Sequence, residues 1–466
     1  MTDSWAAFGA DLHIEPLGAG LRSGLMNALR EAVRSGRLAP GTRLPSSRTL
    51  AVDLGIARNT VADAYAELVA EGWLTARQGS GTRVAQRADA AGPESRRVPS
   101  RPVRGRPTHN LMPGSPDLSA FPRAEWLKAS RRALGAAPDQ AFGYDDPQGR
   151  IELRTVLAGY LARARGVYAD PERIVICSGF VQGLSLMGKV LAQRGVREAA
   201  VESCGLDIHW NLLNGAGLAT PCLPVDELGA RTGELGGMRH VGAALLTPAH
   251  QFPTGVPLHP DRRAAAVDWA RSSGGLLLED DYDGEFRYDR QPVGALQGLD
   301  PERVVHMGTA SKSLAPGLRL AWLVLPEGLV SEVCDAKGGP EWMTATPDQL
   351  TLAEFIASGA YDRHVRAMRL RYRRRRDQLV QALAERAPGF RVTGIAAGLH
   401  AVLELPEGTE QSVVQAANWQ GLALERLSRF RHQDAEPGRE GLVIGYGTPS
   451  ESGWAGALDA LCRVLP

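Results

Sequence analysis

Leu17, Leu21, Leu25, Leu29 and Val33 recur every four residues, which predicts a helix with one apolar face. Gly41 and Pro45 interrupt, and Ser46-Ser47-Arg48-Thr49-Leu50-Ala51-Val52-Asp53-Leu54 then reads as a short helix opened by a serine cap and closed by Gly55. A third helix begins near Arg58-Asn59-Thr60, turns Val61, Ala64, Tyr65, Leu68 and Val69 inward and stops at Gly72. Two helices around so short a turn predict a helix-turn-helix, which puts Arg58, Asn59 and Thr60 at base edges in a major groove. From Trp73 to Val84, two short β-like runs flank a turn containing Gly79 and Gly81, the pattern of a hairpin wing.

The pattern changes after residue 110. Apolar runs at 174–177, 243–246, 276–278, 304–307 and 320–325 alternate with helical segments, which predicts a mostly parallel sheet covered on both faces. From about Phe390 the chain reads as a small α+β subdomain, with strands near 398–405 and 441–446. Between the patterned regions, residues 85–110 mix Pro93, Pro99, Pro102 and Pro107 with Arg87, Arg96, Arg97, Arg101, Arg104 and Arg106. Prolines keep such a stretch extended, so it reads as a linker. Its arginines either follow DNA phosphates or keep it soluble, and solubility is the default. The division is therefore residues 12–84, a linker at 85–110, and residues 111–466. A second basic run, Arg369, Arg371 and Arg373 to Arg376, falls in a helical stretch from His364 to Leu383 and reads as a solvated face.

At 466 residues the chain exceeds an ordinary single domain. Fifteen arginines face ten acids in residues 1–108, a net of +5, whereas the whole chain is +1, so the basic excess sits where DNA contact is expected. Cys177, Cys204, Cys222, Cys334 and Cys462 show no paired metal spacing, and no metal site is expected. Their scatter, the lack of a bilayer-length apolar run and the lack of a leader at Met1-Thr2-Asp3-Ser4-Trp5 lead to the expectation of a soluble cytoplasmic protein.

Lys312 is one of four lysines and stands in Gly308-Thr309-Ala310-Ser311-Lys312-Ser313-Leu314-Ala315-Pro316-Gly317-Leu318-Arg319. Its amine can form a Schiff base with the aldehyde of pyridoxal phosphate, Thr309 and Ser311 can bond the phosphate, and Arg319 can clamp it. Taken alone, the stretch reads equally well as a glycine and serine loop. Upstream, Leu276-Leu277-Leu278 runs as a buried strand into Glu279-Asp280-Asp281-Tyr282. Ligands in open α/β sheets sit beyond the carboxyl ends of the strands, so Asp280 can bond the pyridine nitrogen and Tyr282 the ring oxygen. A solvated acidic turn explains the triplet but not the lysine loop.

These segments, with Thr247-Pro248-Ala249-His250-Gln251-Phe252-Pro253-Thr254-Gly255, resemble fold type I aminotransferases and, more closely, the MocR/GabR branch of GntR-type bacterial regulators. Further matches are Tyr144-Asp145-Asp146-Pro147-Gln148-Gly149 and Ile176-Cys177-Ser178-Gly179-Phe180-Val181-Gln182-Gly183. The resemblance implies a phosphate held by the backbone of Ser178, Gly179 and Phe180 at a helix start, and a homodimer in which Tyr144 reaches the partner's phosphate. Most of residues 12–84 resemble a GntR winged helix, which implies DNA contacts from Arg48 and Arg58 and close backbone approach at Gly79 and Gly81. The expected architecture is thus a winged helix-turn-helix followed by an α/β aminotransferase-like domain and its small α+β subdomain.

Three departures separate the chain from working aminotransferases. Phe252 replaces an asparagine that bonds the ring oxygen, Leu206 replaces the aromatic of a Val-Glu-x-Pro-x-Tyr segment, and Val443 replaces a carboxylate-binding arginine, leaving Arg439 as its substitute. Small misplacements of substrate cost orders of magnitude in rate, so binding can outlast turnover. The expected function is transcription regulation in which an aminotransferase-like domain senses pyridoxal phosphate, or an amine or amino-acid effector, through the imine at Lys312. The alternatives are an active aminotransferase with an accessory DNA-binding domain, and a dimerisation scaffold without cofactor.

Overall fold

A strict four-residue repeat outruns the 3.6-residue helical turn by about 40° per step, so the leucine stripe at the start of the chain cannot remain on one side. In α1 (Leu21–Arg34) the buried residues are Leu25, Met26, Leu29 and Ala32, whereas Leu21 is 54% exposed. This corrects the predicted stripe. The computed structural model describes residues 20–77, 81–86, 107–288 and 294–465, so Leu17 and Gly79 lie outside the described residues. The chain divides into two compact units, Met1–Arg104 and Gly105–Pro466.

In the first unit, the Ser46 hydroxyl accepts from Thr49 N at 3.1 Å and so caps α2 (Ser47–Leu54), which ends at Gly55 with φ 65°. Helix α3 (Arg58–Ala70) buries Val61, Ala64, Tyr65 and Leu68 against α1 and α2. The Tyr65 hydroxyl donates to Pro45 O at 3.2 Å, and Arg30 joins α1 to Glu71 just past α3 through two hydrogen bonds of 3.0 and 2.5 Å. Strands β1 (Leu74–Arg77) and β2 (Gly81–Val84) pair antiparallel with Leu74 opposite Val84, which makes the wing.

The second unit is built on β3 (Ile174–Cys177), β4 (Glu198–Glu202), β5 (Cys222–Leu223), β6 (Val241–Leu246), β7 (Leu276–Asp281), β8 (Val304–Thr309) and β9 (Ala321–Val324). They form one sheet in the order β3-β9-β8-β7-β6-β4-β5. Only β9 runs against its neighbours. Helices α4 (Ile151–Arg165), α5 (Phe180–Gln193), α6 (Asp207–Gly215) and α7 (Pro260–Ser273) contribute to the cores packed against it. Helix α8 (Ala360–Arg386) runs on toward a second sheet of β10 (Val392–Thr393), β11 (Ala401–Glu404), β12 (Glu425–Arg426) and β13 (Gly441–Ile444), ordered β10-β11-β13-β12. That sheet has its own apolar core.

The basic run in α8 is not a solvated face. Arg375 is 1% exposed, donating to Asp117 Oδ2 at 2.9 Å and to Pro449 O at 2.8 Å, and Arg371 reaches the same carboxylate at 3.1 Å. Arg369 donates to Glu285 O, while Arg373 and Arg374 remain exposed. Arg375 shares its side of the helix with the buried Met368, Tyr372 and Leu379, which lie at spacings of seven, three and four residues.

The acids ending β7 have three separate fates. Glu279 accepts from Leu296 N at 2.6 Å and Gln297 N at 3.0 Å. Asp281 receives Arg165 at 2.7 and 2.9 Å, and although burial pushes its carboxyl up, the Arg165 guanidinium outweighs this and holds it below the usual range. Asp280, between them, points the other way. Removing one partner of a buried pair strands the other charge, so Arg165→Met should cost about 3–5 kcal/mol. A lowered urea midpoint with an unchanged far-ultraviolet spectrum is the expected measurement.

Candidate functional site

Four adjacent strands end on one cavity of about 440 Å³, and each contributes a polar residue at or just past its carboxyl end: Glu202 from β4, Thr247 after β6, Asp280 from β7 and Thr309 from β8. This is where an open α/β sheet collects ligands. Burial pushes the Glu202 carboxyl up to about 7 despite hydrogen bonds from Thr247 and Gln251. Asp280 is buried, and burial holds its carboxyl well above the usual range while Lys312 opposes it. Among the described residues its Oδ1 has no hydrogen-bond partner, and His209 Nδ1 lies 4.0 Å from Oδ2.

Lys312 lies on the turn between β8 and β9 and donates from Nζ to Gly114 O at 2.6 Å. Burial lowers its affinity for a proton, against the pull of Asp280 and Asp283. The Thr309 hydroxyl meets Ser311 Oγ at 2.9 Å and accepts from Ser311 N at 3.1 Å, which folds the loop back toward the cavity. Arg319 ends this turn with φ 53°, the only non-glycine residue with positive φ among those described, and donates to Ser178 O at 2.7 Å. A Cβ at Gly179 would come within 2.6–2.8 Å of its guanidinium, so only glycine admits the approach. Helix α5 starts directly after Gly179 without a side-chain cap, leaving its first amides to an anion.

Tyr282 donates to His250 O at 2.9 Å and lies 3.1 Å from His250 Nδ1, while burial, Asp283 and Asp280 push its phenol well up and keep it a hydroxyl. Phe252 precedes a cis proline and packs edge-on to Phe430 at 5.0 Å and to Tyr282 at 6.1 Å, so position 252 presents a ring where an amide is expected. Leu206 lines the cavity and packs on this apolar group, as does Val443. Cys204 also lines the cavity, and burial pushes its thiol up.

The cavity brings together Phe180, Asp280, Tyr282, Thr309, Ser311, Lys312 and Arg319, with Ser178 and Gly179 in contact with Arg319. It does not bring in Tyr144, which is 79% exposed, or Arg439, which is bonded to Glu404 and Glu227 at 2.8 Å each on the surface. Sequence reasoning missed His209, Arg429 and His400, all on the cavity wall. His209 stacks on Phe180 at 4.7 Å, and burial lowers its imidazole to about 4. Arg429 pairs with Asp207 at 2.7 Å. A helical turn separates Leu206 from His209, and that spacing was the available signal. In the first unit Arg48, Arg58, Asn59 and Gly81 are exposed and Thr60 is half-buried.

The orphaned acceptor on Asp280, the amine of Lys312 and the glycine cradle beneath Arg319 fit the ring nitrogen, aldehyde and phosphate of pyridoxal phosphate. Residues 21–84 match the family of bacterial regulatory proteins of the gntR type, and residues 110–431 match aminotransferase class I and II. The chain is 33% identical to the pyridoxine biosynthesis transcriptional regulator PdxR of Corynebacterium glutamicum over 92% of each chain. It is 32% identical to the probable rhizopine catabolism regulatory protein MocR of Rhizobium meliloti over 91% of this chain and 89% of that protein. An archaeal alanine:glyoxylate aminotransferase shares the fold of 76% of this chain and 90% of its own, with a TM-score of 0.69 at 24% identity. No helix of the described residues is long and apolar enough to cross a membrane. Since both halves match in order and the likeness to named regulators spans nine-tenths of the chain, this protein belongs to the MocR type of GntR-family transcription regulators, a winged helix joined to an aminotransferase-like domain.

Proposed function

We propose that this regulator binds operator DNA as a cytoplasmic homodimer and that its aminotransferase-like half holds pyridoxal phosphate, sensing either that cofactor or an amine or amino-acid effector at Lys312. The observation that carries the reading is the pairing, across one cavity, of a lysine amine with a buried carboxyl whose Oδ1 lacks a partner. When bound, pyridoxal phosphate supplies a reactive aldehyde on an electron-drawing ring. Lys312 is its covalent anchor, Asp280 holds the ring nitrogen, and Tyr282 donates to the ring oxygen. Arg319, Thr309, Ser311 and the backbone of Ser178, Gly179 and Phe180 hold the phosphate. Tyr144, exposed as it is, serves the phosphate site of the partner subunit.

Arg429 lines the cavity and takes the effector-carboxylate role that the sequence gives to Arg439, which is bonded elsewhere. A Lys312 released by an effector already has a receiver in the Gly114 carbonyl. That segment is tied to the small sheet, since Gly445 N donates to Leu111 O at 2.7 Å and Thr448 Oγ1 to Met112 O at 2.6 Å. An effector that favours one arrangement of this segment shifts its population, and DNA affinity follows. DNA is read by Arg58, Asn59 and Thr60 at base edges, with Arg48, Gly79 and Gly81 on the phosphates.

Sustained transamination is the rival reading. Against it, Phe252 fills its position with an apolar ring and supplies no donor. Purified protein given amino acids and a keto acid should therefore produce no steady flux of new keto acid, and a sustained turnover would favour the enzyme. Lys312→Ala should abolish the visible absorption of the loaded protein while leaving the fold intact, checked by spectroscopy and circular dichroism. Arg58→Ala should weaken operator binding about 10- to 100-fold, the value of one base contact, and leave cofactor affinity unchanged. Footprinting of the DNA upstream of the gene, with and without pyridoxal phosphate, tests the regulator directly.

A further inference from the structure

His250 is 3% exposed, and its two ring nitrogens differ completely in surroundings. Nδ1 lies 3.0 Å from Asp283 Oδ2 and 3.1 Å from the Tyr282 hydroxyl, while Nε2 is buried with no partner among the described residues. A proton on Nε2 would be an orphaned donor and would turn the Nδ1 lone pair toward a carboxylate. A proton on Nδ1 satisfies Asp283 and leaves only an unused acceptor, which costs less. The neutral ring is therefore protonated at Nδ1.

The imidazole and Asp283 are seated against Gly398, at φ 70°, where a Cβ would come within 2.3 Å of the His250 ring and 2.5 Å of Asp283 Oδ2. Gly398 lies on the segment leading into the small sheet, and its carbonyl accepts from Tyr446 at 2.8 Å and also from Tyr288. His400, from the same segment, stacks near His250 at 5.0 Å, with Nε2 taken by Pro253 O at 3.1 Å.

We propose that His250 is a positioning residue, whose Nδ1–H is fixed by Asp283 and is shared with the Tyr282 oxygen, so that the phenol is aimed and strengthened as a donor toward the cavity. A hydroxyl that accepts a hydrogen bond donates a better one. Gly398 extends the chain of contacts, because the small sheet's segment forms the seat of the imidazole and its position is felt at the phenol. The other ionisable groups around Tyr282 and His250 are Asp280, Glu202, His400, Lys312 and Tyr446. None of them replaces the Nδ1 contact, since none of their hydrogen bonds reaches the Tyr282 hydroxyl.

The inference rests on the cofactor reading above, and the pH midpoint of the loaded protein's visible absorption tests it separately. Tyr282 donating to the ring oxygen stabilises its negative charge, so a weaker donor raises the midpoint. Asparagine places an N–H near imidazole Nδ1, whereas glutamine places one near Nε2. His250→Gln should raise the midpoint by about 0.5 to 1 in pH, as expected for loss of one ordinary hydrogen bond. His250→Asn should stay near wild type, and Tyr282→Phe should move furthest. Equal midpoints for the Gln and Asn variants, with Tyr282→Phe shifted, would overturn the role of His250. Absorption that survives Lys312→Ala would instead overturn the cofactor reading. Should either His250 variant fail to fold, histidine NMR of the cofactor-free wild type decides the matter: protonated Nδ1 is expected, and the opposite tautomer overturns the inference. Retention of a stoichiometric divalent metal by His250, Asp283 and His400, whose ligand atoms lie within 4.8 Å of one another, would overturn it as well.

Discussion

Asp280 is a carboxyl driven out of water at the end of a central strand without a hydrogen-bond partner on Oδ1. A lone buried carboxyl is costly, and the surrounding protein has satisfied its two neighbours but not this one. Glu279 is absorbed by backbone amides and Asp281 by Arg165, which fixes the strand end from both sides. The cavity is organised around what remains. Lys312 approaches from the next strand, His209 from the helix after β4, and Tyr282 from two residues further along. The rigidity of the sheet is what lets one unmet carboxyl define the position of everything facing it.

Much of this was legible in the sequence because it is local. The serine cap at Ser46, the glycine stop at Gly55 and the lysine loop each declare themselves within a dozen residues. So does a strand running into acids. His250 was not legible as a functional group, because its significance lies in the approach of Gly398 from a different sheet. Arg375 misled for a related reason: in a run of six arginines over eight residues, charge density suggests solvent, and only the partner Asp117, far away in sequence, reveals which member is buried. Arg439 and Arg429 show the same limit, since two loop arginines of similar sequence context differ only in whether the fold turns them inward.

The two halves make different demands on evolution. The winged helix needs a few exposed side chains on a small core, whereas the cofactor-type half needs a large sheet whose strand ends stay in register. A protein freed from rapid turnover can lose the fine alignment of a substrate and keep the binding chemistry. Phe252 fits that pattern: it gives up a polar contact and gains packing among Phe430, Tyr282 and His400.

The reversed direction of β9 has its own consequence. Because β9 runs antiparallel to β8, the chain returns through a turn on the cavity side instead of crossing over to the far edge of the sheet. Lys312 and Arg319 are therefore carried on a single connection pinned at both ends by paired strands, Thr309 opposite Ala321. Insertions or deletions that most surface loops would absorb have no slack to enter here. Family members should thus vary freely elsewhere on the rim while the length of this connection stays constant.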